Sequence, residues 1–394
     1  MKRLLLLDTG KEWGGGTNSL LELLRRIDRS RYEITPLFYD NYARGTESSL
    51  KEALASAGYA LHLLPRLRQP FWAKLGKELA RGLLIWSPRH RAAAVFAIEQ
   101  AWRIRPDARR IARILREGGY DALYLNNQPS SNLEGLLAAE RAGVPAIQHC
   151  RIESDLNPTE IATANRATQR IICVSQGVAE SLVAQGIDPA LCRVVLNGVD
   201  GEQALPDRGA ARQAHDYADG DIVVGAVGSL VPRKGVLTLL AALYGLPGVH
   251  ALIVGDGPQR AELEREAARL GMGDRVRFTG FRQAPLIDMA AMDIFCLPSA
   301  REGLPRVILE AMLLAKPVVA TDIPGSRELV RREETGLLVP HGDAGALHAA
   351  LARLAADAAL RERMGQRGRE VVLAENSIRS YVAGVERLFA EALA

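Results

Sequence analysis

Short apolar segments alternate with helical patterns along most of the chain, and this alternation restricts the fold more than any other feature. In the first half, the segments that we predict to be strands read RLLLLDT, YEITPLFY, ALHLL, DALYLNN, PAIQH and RIICVS. In the second half, they read DIVVGAVGS, HALIVGDG, VRFTGF, DIFCLPS and PVVATD. Segments that are apolar on both faces and alternate with helices are typical of parallel strands covered on both sides. The sequence therefore predicts a doubly wound α/β protein.

The length indicates two domains, because 394 residues exceed what one hydrophobic core usually organises. The alternation restarts after VVLNGVD, and the stretch that follows is rich in Gly, Asp and Pro. We therefore expect two Rossmann-like domains, an N-terminal one over 1–196 and a C-terminal one over 197–376. A last helix, at 377–394, has no strand after it and could pack on either domain.

The composition is typical of a soluble globular protein, with 48% hydrophobic and 24% charged residues. The net charge of +4 is too small to indicate nucleic-acid binding. Cys150, Cys173, Cys192 and Cys296 have apolar neighbours and form no CxxC pair, which favours reduced thiols and no metal site. The apolar run at Leu4–Leu7 is too short for a signal peptide, and no window is long enough to span a membrane. We expect a cytoplasmic protein.

Two loops that follow predicted strands are suited to phosphate binding. The first contains Gly14–Gly16 before a helix, which is either a flexible turn or a place where the backbone approaches a phosphate or sugar closely. The second follows the strand that ends at Gly228–Ser229 and carries Arg233 and Lys234. Two cations in such a loop suit a diphosphate, although a solvated basic turn is the alternative.

A third loop places two carboxylates around the start of a helix. Glu302 follows the strand DIFCLPS, and Pro305 marks the first helical turn. The amides of Gly303 and Leu304 then point towards a ligand, where the helix dipole favours an anion. Glu310 lies further along this helix among apolar neighbours. A buried carboxylate needs partners, and a ligand with paired hydroxyls would supply them.

The stretch SAREGLPRVILEAMLLAKPVVATDIPGSRELV and the later TGLLVPHGD resemble the C-terminal signature of the retaining glycosyltransferases of family 4. The spacing from Glu302 to Glu310 is the hallmark of that family, whose fold is GT-B, with two Rossmann-like domains that face a central cleft. The resemblance covers nearly all of the second half and patches of the first, and includes IICVSQGVAESLVAQGI, VVLNGVD, RKGVLTLLAAL, ALIVGDGPQRAELE and VRFTGF.

The resemblance implies roles for the carboxylates and cations. Glu310 would hold the ribose hydroxyls of a nucleotide, and Glu302 would hold hydroxyls of the transferred sugar. Lys234 and Arg233 would bind the diphosphate together with the two amides before the helix. Relatives usually have arginine where this chain has Ser229, so one diphosphate cation is missing, and Arg233 would have to replace it.

The resemblance also implies roles for residues of other loops. Phe281 and Arg282 would border the base, and Gly15 and Gly16 would close over the donor from the other domain. His149, at the end of the strand PAIQH, matches the histidine that the family places against the donor sugar. A structural histidine at a strand end is the alternative reading of His149.

The segment 66–116 is strongly basic, since its thirteen basic and three acidic residues give a net charge of +10. Within it, PFWAKLGKELARGLLIW places Phe71, Trp72, Leu75, Leu79, Leu83 and Trp86 on or near one helical face. A core-facing helix with a solvated basic face is one reading. Docking on anionic lipid headgroups, at the inner face of the cytoplasmic membrane, is the other.

We therefore expect an enzyme that moves a sugar from a nucleoside-diphosphate sugar, with UDP or GDP, to a glycan or lipid-linked acceptor. No cofactor or metal is expected, because Lys234 and the helix dipole would do the work of an ion. An epimerase or hydrolase of the same fold stays open, as does a non-catalytic subunit that binds sugar nucleotides. A nicotinamide oxidoreductase is disfavoured, because no strand is followed by GxGxxG.

Overall fold

The structure is a computed structural model that describes residues 1–11, 13–43 and 49–394. The strands of this part are β1 (Lys2–Asp8), β2 (Tyr32–Phe38), β3 (His62–Leu63), β4 (Ala122–Leu125), β5 (Ala146–Cys150), β6 (Thr168–Cys173), β7 (Cys192–Val194), β8 (Ile222–Val227), β9 (Val249–Val254), β10 (Val276–Gly280), β11 (Ile294–Leu297), β12 (Val318–Thr321) and β13 (Gly336–Val339). The helices of the N-terminal half are α1 (Gly15–Arg26), α2 (Leu50–Ser56), α3 (Phe71–Leu83), α4 (Pro88–Glu99), α5 (Arg105–Glu117), α6 (Leu133–Ala142), α7 (Pro158–Ala167) and α8 (Gln176–Ala184). Those that follow are α9 (Arg208–Ala214), α10 (Val236–Tyr244), α11 (Arg260–Arg269), α12 (Leu286–Ala290), α13 (Arg306–Leu313), α14 (Pro324–Arg327), α15 (Ala344–Ala356), α16 (Ala358–Glu375) and α17 (Ile378–Ala392).

The strands form two sheets in which neighbouring strands run parallel. The first sheet has the order β3-β2-β1-β4-β5-β6-β7, and the second has the order β10-β9-β8-β11-β12-β13. Each order reverses beside its first strand, between β1 and β4 and between β8 and β11, as doubly wound sheets do. The predicted fold class is confirmed. Strands β7 and β13 were not predicted, because each has only three or four residues.

The chain crosses from the first sheet to the second and later returns, and the two crossing segments lie side by side. The outgoing segment and the returning segment are hydrogen-bonded through Val199, whose amide donates to Asn376 and whose carbonyl accepts from Ile378, at 2.9 and 2.8 Å. A side chain on Gly198 would collide with the backbone of Ser377, so only glycine allows this approach. After this crossing, α17 packs on the first sheet, where Phe389 meets Tyr124 with ring centroids 5.0 Å apart.

Loops from the carboxyl ends of both sets of strands meet between the sheets. We call the first sheet with its helices the first unit and the second sheet with its helices the second unit. Trp13 of the first unit packs edge-to-face on Phe281 of the second, with ring centroids 6.2 Å apart. Glu328 of the second unit accepts hydrogen bonds at 2.8 Å from the amides of Gln176 and Gly177, which begin α8 of the first. This carboxylate caps a helix across the boundary and helps to hold the two units together.

Helices α3 and α4 form a hairpin inserted between β3 and α5. None of the residues in α4 is fully buried. A π-helical turn, Gln100–Ile104, connects α4 to α5. Among the described residues, no helix combines the length and the apolar character that crossing a bilayer requires.

Candidate functional site

The loops after β8 and β11 are tied together and bring the predicted cations to the predicted carboxylate. The first contains a 3₁₀ turn, Pro232–Lys234, and the amide of Ala300 in the second donates to the carbonyl of Arg233 at 2.7 Å. Lys234 Nζ lies 2.5 Å from Glu302 Oε1, and the two side chains are 14% and 9% exposed. These residues, 68 positions apart in sequence, therefore form one charged pair at the carboxyl edge of the second sheet.

Arg233 contributes less directly than Lys234. Its Nη1 lies 3.8 Å from Glu302 Oε1 and 3.3 Å from the carbonyl of Arg301, and its side chain is 41% exposed. The Lys234 alkyl chain lies beside Gly228, and Gly228, Ser229 and Lys234 line a small pocket above β8. Arg233 thus stands at the rim, whereas Lys234 lies inside.

A glycine fixes the turn that carries these cations. Gly235 follows Lys234 with φ of 68°, in the left-handed region that favours glycine. A Cβ at this position would also collide with the carbonyl oxygen of Pro298. Both restrictions explain why the strand-to-helix turn reads Lys-Gly.

Glu310 is buried on α13 and has a protein partner. Its Oε1 lies 3.0 Å from Nε of Arg306, and the two side chains are 6% and 12% exposed. Burial raises the pKa of Glu310, while the adjacent Arg306 guanidinium opposes this rise. Sequence reasoning recognised the burial but not Arg306 as the partner, although the i, i+4 spacing was a usable signal.

The segment before α13 offers backbone amides to the space between the sheets. Neither the Gly303 nor the Leu304 amide has an acceptor within the described part of the chain. A side chain on Gly303 would collide with the carbonyl oxygen of Arg151 in the first unit. The Leu304 carbonyl accepts from Asn197 Nδ2 at 3.0 Å. This loop therefore lies directly against the other unit.

The glycine-rich loop of the first unit lies opposite the loop that precedes α13. Helix α1 begins at Gly15 with Gly14 as its cap. A Cβ added to Gly15 would lie 3.5 Å from Cβ of Arg306, and one added to Gly16 would lie 3.5 Å from Cγ of Arg151. The predicted glycines thus lie next to α13 and to the end of β5.

His149 lies at the predicted strand end, but its ring is enclosed. The residue is 0% exposed, and Nδ1 lies 2.7 Å from the hydroxyl of Tyr124. Nε2 has no partner within the described residues. Burial, and then the charge of Arg151, hold the pKa of His149 well below its usual value, so the ring is neutral. The role against a donor sugar stays a prediction.

A polar network that sequence reasoning missed connects the two units. Arg151 contacts Asn126 Oδ1 with Nη2 at 2.6 Å and the hydroxyl of Tyr381 at 3.3 Å. Asn197 Oδ1 accepts from Ser19 Oγ at 3.1 Å, and its amide reaches the loop before α13. These residues are far apart in sequence, so no local pattern indicated that they meet.

The predicted base-binding residues separate in the structure. Phe281 packs between Trp13 and Tyr42 of the first unit, with centroids 6.2 and 6.0 Å away. Arg282 is exposed, and its Nε lies 3.6 Å from Asp288 Oδ2. Phe281 therefore packs against the first unit, whereas Arg282 lies near Asp288 of its own unit.

Two family models match consecutive parts of this chain. The model "Glycosyltransferase Family 4" matches residues 13–203, and "Glycosyl transferases group 1" matches residues 207–371. The chain is 36% identical over 213 residues to the lipopolysaccharide core biosynthesis glycosyltransferase LpsE of Rhizobium meliloti, a match that spans 54% of this chain and only 61% of LpsE. It is 30% identical over 319 residues to the D-inositol 3-phosphate glycosyltransferase of Kribbella flavida, covering 71% and 75% of the two chains.

Comparison with solved structures identifies the fold class. The chain superposes on Anabaena HepE, crystallised with UDP and glucose, with a TM-score of 0.80 over 99% of this chain and 100% of that one, at 24% identity. Two parallel sheets with their strand ends facing each other define the GT-B class of glycosyltransferases. Within that class, this chain belongs to glycosyltransferase family 4, as the matched models and relatives establish.

Proposed function

We propose that this protein transfers a sugar from a nucleoside-diphosphate sugar to a glycan or lipid-linked acceptor with retention of the anomeric configuration. The observation that carries the proposal is the Lys234–Glu302 pair at the start of α13, with buried Glu310 further along the same helix. The binding of UDP and glucose by the structurally similar HepE supports a UDP-sugar donor, and GDP-sugars remain in the proposal.

The diphosphate would lie against Lys234 and the free amides of Gly303 and Leu304. When the donor binds, Lys234 would turn from Glu302 towards the phosphates. Glu302 would then accept hydrogen bonds from hydroxyl groups of the sugar. Arg233 at the rim would supply a second cation, because Ser229 carries none. Preorganised donors of this kind stabilise the charge that develops on a leaving group, each by about 3 kcal/mol.

The nucleoside would extend along α13 towards Glu310. Its ribose hydroxyls would donate to the Glu310 carboxylate, which Arg306 already holds in place at 3.0 Å. The base would lie near Phe281 and Arg282, while Gly15 and Gly16 would cover the donor from the first unit. Neutral His149 would accept a hydrogen bond from a sugar hydroxyl at Nε2 once the surrounding side chains allow access.

The reaction would proceed by departure of the diphosphate from the anomeric carbon. The acceptor hydroxyl would attack that carbon on the face that the diphosphate leaves, and a leaving-group oxygen would take the acceptor proton. The C–O bond to phosphate breaks as the new glycosidic bond forms on the same face. Lys234 and the α13 dipole would supply the positive charge that this step needs, with no cofactor.

The acceptor would belong to cell-surface polysaccharide or glycolipid synthesis at the cytoplasmic face of a membrane. This part of the proposal is supported by the likeness to LpsE, which is named for lipopolysaccharide core biosynthesis. It is also supported by the basic segment 66–116, which carries a net charge of +10.

A thermal-shift screen against UDP-, GDP- and ADP-sugars tests the donor, because a bound donor raises the melting temperature. We expect a shift with one nucleotide class and a smaller one for Lys234→Ala. Nuclear magnetic resonance of the product should show the anomeric configuration of the donor. An inverted product, or donor consumption that acceptor does not accelerate, would refute retaining transfer.

A further inference from the structure

Helix α3 has one face of small residues and one face of large apolar residues. The face of small residues packs against the rest of the protein. Ala73 is 0% exposed and Ala80 is 9% exposed. A Cβ added to Gly76 would lie 3.2 Å from Cδ1 of Ile98 on α4, so small residues make the contact between the helices. The reading of α3 as a helix whose large apolar residues face the core is therefore wrong.

The large apolar residues of this segment face solvent instead. We call them the α3 face: Phe71, Trp72, Leu75, Leu79 and Leu83 on the helix, with Ile85 and Trp86 in the turn that follows. Trp86 is 94% exposed, Phe71 79% and Leu83 76%. Seven of the fifteen exposed large apolar side chains in the described chain lie within these sixteen positions. Soluble proteins rarely expose such a continuous patch unless it binds something.

Exposed cations lie close to the α3 face in the sequence. Arg68, Lys74 and Arg89 are exposed and form no ion pair within the described residues. Lys77 instead pairs with Glu99 on α4, on the side of α3 away from the face. A large apolar surface with unpaired cations in the same segment complements a bilayer, whose acyl region takes the side chains and whose anionic headgroups take the charges.

We propose that the α3 face inserts into the headgroup and acyl boundary of an anionic bilayer. The apolar side chains provide most of the affinity, and Arg68, Lys74 and Arg89 add selectivity for anionic lipid. A second copy of the chain fits less well, because the same three cations would then lie near each other across a two-fold interface.

The position of the hairpin connects this surface to the site. The segment leading into α3 is held at the carboxyl edge of the first sheet, where Arg66 pairs with Asp40 at 2.7 Å and Arg110 donates to the carbonyl of Pro65. The hairpin therefore projects from the edge that faces the cleft. A lipid-linked acceptor could then reach the site from the bilayer, and this last step rests on the proposed function.

Vesicle sedimentation tests the insertion directly. The triple variant Phe71→Ala/Leu83→Ala/Trp86→Ala should fold normally, because these side chains are exposed. We expect its partition coefficient on phosphatidylcholine–phosphatidylglycerol vesicles to fall by about 1,000-fold, since burial of each of the three side chains contributes at least about tenfold. The control Tyr244→Ala/Ile287→Ala removes two exposed apolar side chains from the other unit, and it should bind like the wild type.

The lipid composition separates the two contributions. Lys74→Gln should reduce binding to anionic vesicles by a few-fold and leave binding to pure phosphatidylcholine unchanged. Normal binding by the triple variant would overturn the proposal. So would a wild type that ignores vesicles and forms a dimer, in light scattering, that the triple variant does not form.

Tryptophan fluorescence supplies a second readout without donor or acceptor. The emission of Trp72 and Trp86 should shift to shorter wavelength on vesicles and be quenched by brominated lipids, and Trp72→Phe/Trp86→Phe should lose most of this change. A vesicle-induced shift that is the same in Trp72→Phe/Trp86→Phe would contradict insertion at this face. Because neither measurement uses the reaction, docking and catalysis can fail independently.

Discussion

Replacing Glu310 by alanine should weaken both the fold and nucleotide binding, and the two effects can be separated. The Glu310 and Arg306 side chains are only 6% and 12% exposed, and their charged atoms lie 3.0 Å apart. Among the described residues, Glu310→Ala leaves the Arg306 guanidinium with the carbonyl of Gly198, at 3.2 Å, as its remaining acceptor. Removing one partner of a buried pair costs about 3 kcal/mol or more. We expect the free energy of unfolding in urea to fall by about that amount.

The double variant Arg306→Met/Glu310→Ala removes both charges, and it should recover much of the lost stability because no buried charge remains unpaired. Nucleotide affinity should not recover. A carboxylate that accepts a ribose hydroxyl contributes about 1.5–3 kcal/mol, so each lost bond should weaken binding of the nucleoside diphosphate by about 10- to 150-fold.

Isothermal titration of the double variant with UDP and GDP measures the ribose contribution without the stability effect. Wild-type affinity in the double variant would refute the assignment of Glu310 to the ribose. Unchanged stability in Glu310→Ala would refute the importance of the ion pair.

Four further substitutions test other parts of the protein. Lys234→Ala should lower kcat/KM for transfer by about 100-fold or more, whereas exposed Arg233→Ala should lower it less, and steady-state kinetics would contradict this order if the two losses were equal. Because burial depresses the pKa of His149, its neutral form stabilises the fold above about pH 6.5, and this stabilisation is lost as the pH falls. Urea unfolding should therefore show that the wild type loses up to about 2 kcal/mol more than His149→Gln between pH 7 and pH 5, and equal losses would exclude a buried neutral ring. Glu328→Ala removes the cap on α8 across the two units and should raise the open population by about 5- to 30-fold, which small-angle scattering would detect as a larger radius of gyration.

The fold class could be predicted, and a candidate site could be assigned to the strand ends, because both inferences depend on local patterns. Apolar runs between helices indicate parallel strands, and ligands bind at the carboxyl ends of such strands. The structure accordingly brings Glu302 and Lys234, from loops after two neighbouring strands, into contact. The orientation of α3 was beyond the same reasoning, because periodicity reveals an apolar face but not what covers it.

The partners of the site residues were also beyond sequence reasoning. Asn197 meets Ser19 and Leu304, which lie 178 and 107 positions away. Arg151 meets Tyr381, 230 positions away, only because α17 returns to the first sheet. No spacing rule connects such positions, since the contacts exist only after both sheets have formed and closed.

The sequence by itself determined the doubly wound architecture, the strand-end loops and the spacing between Glu302 and Glu310. These features follow from side-chain periodicity and from residue types within a single turn or helix. Only the tertiary structure decided that Arg306 neutralises Glu310, that Asn197 bridges the two units and that the large face of α3 meets solvent. Those outcomes depend on which surfaces the chain brings together, and burial and charge pairing are set by that arrangement rather than by local sequence.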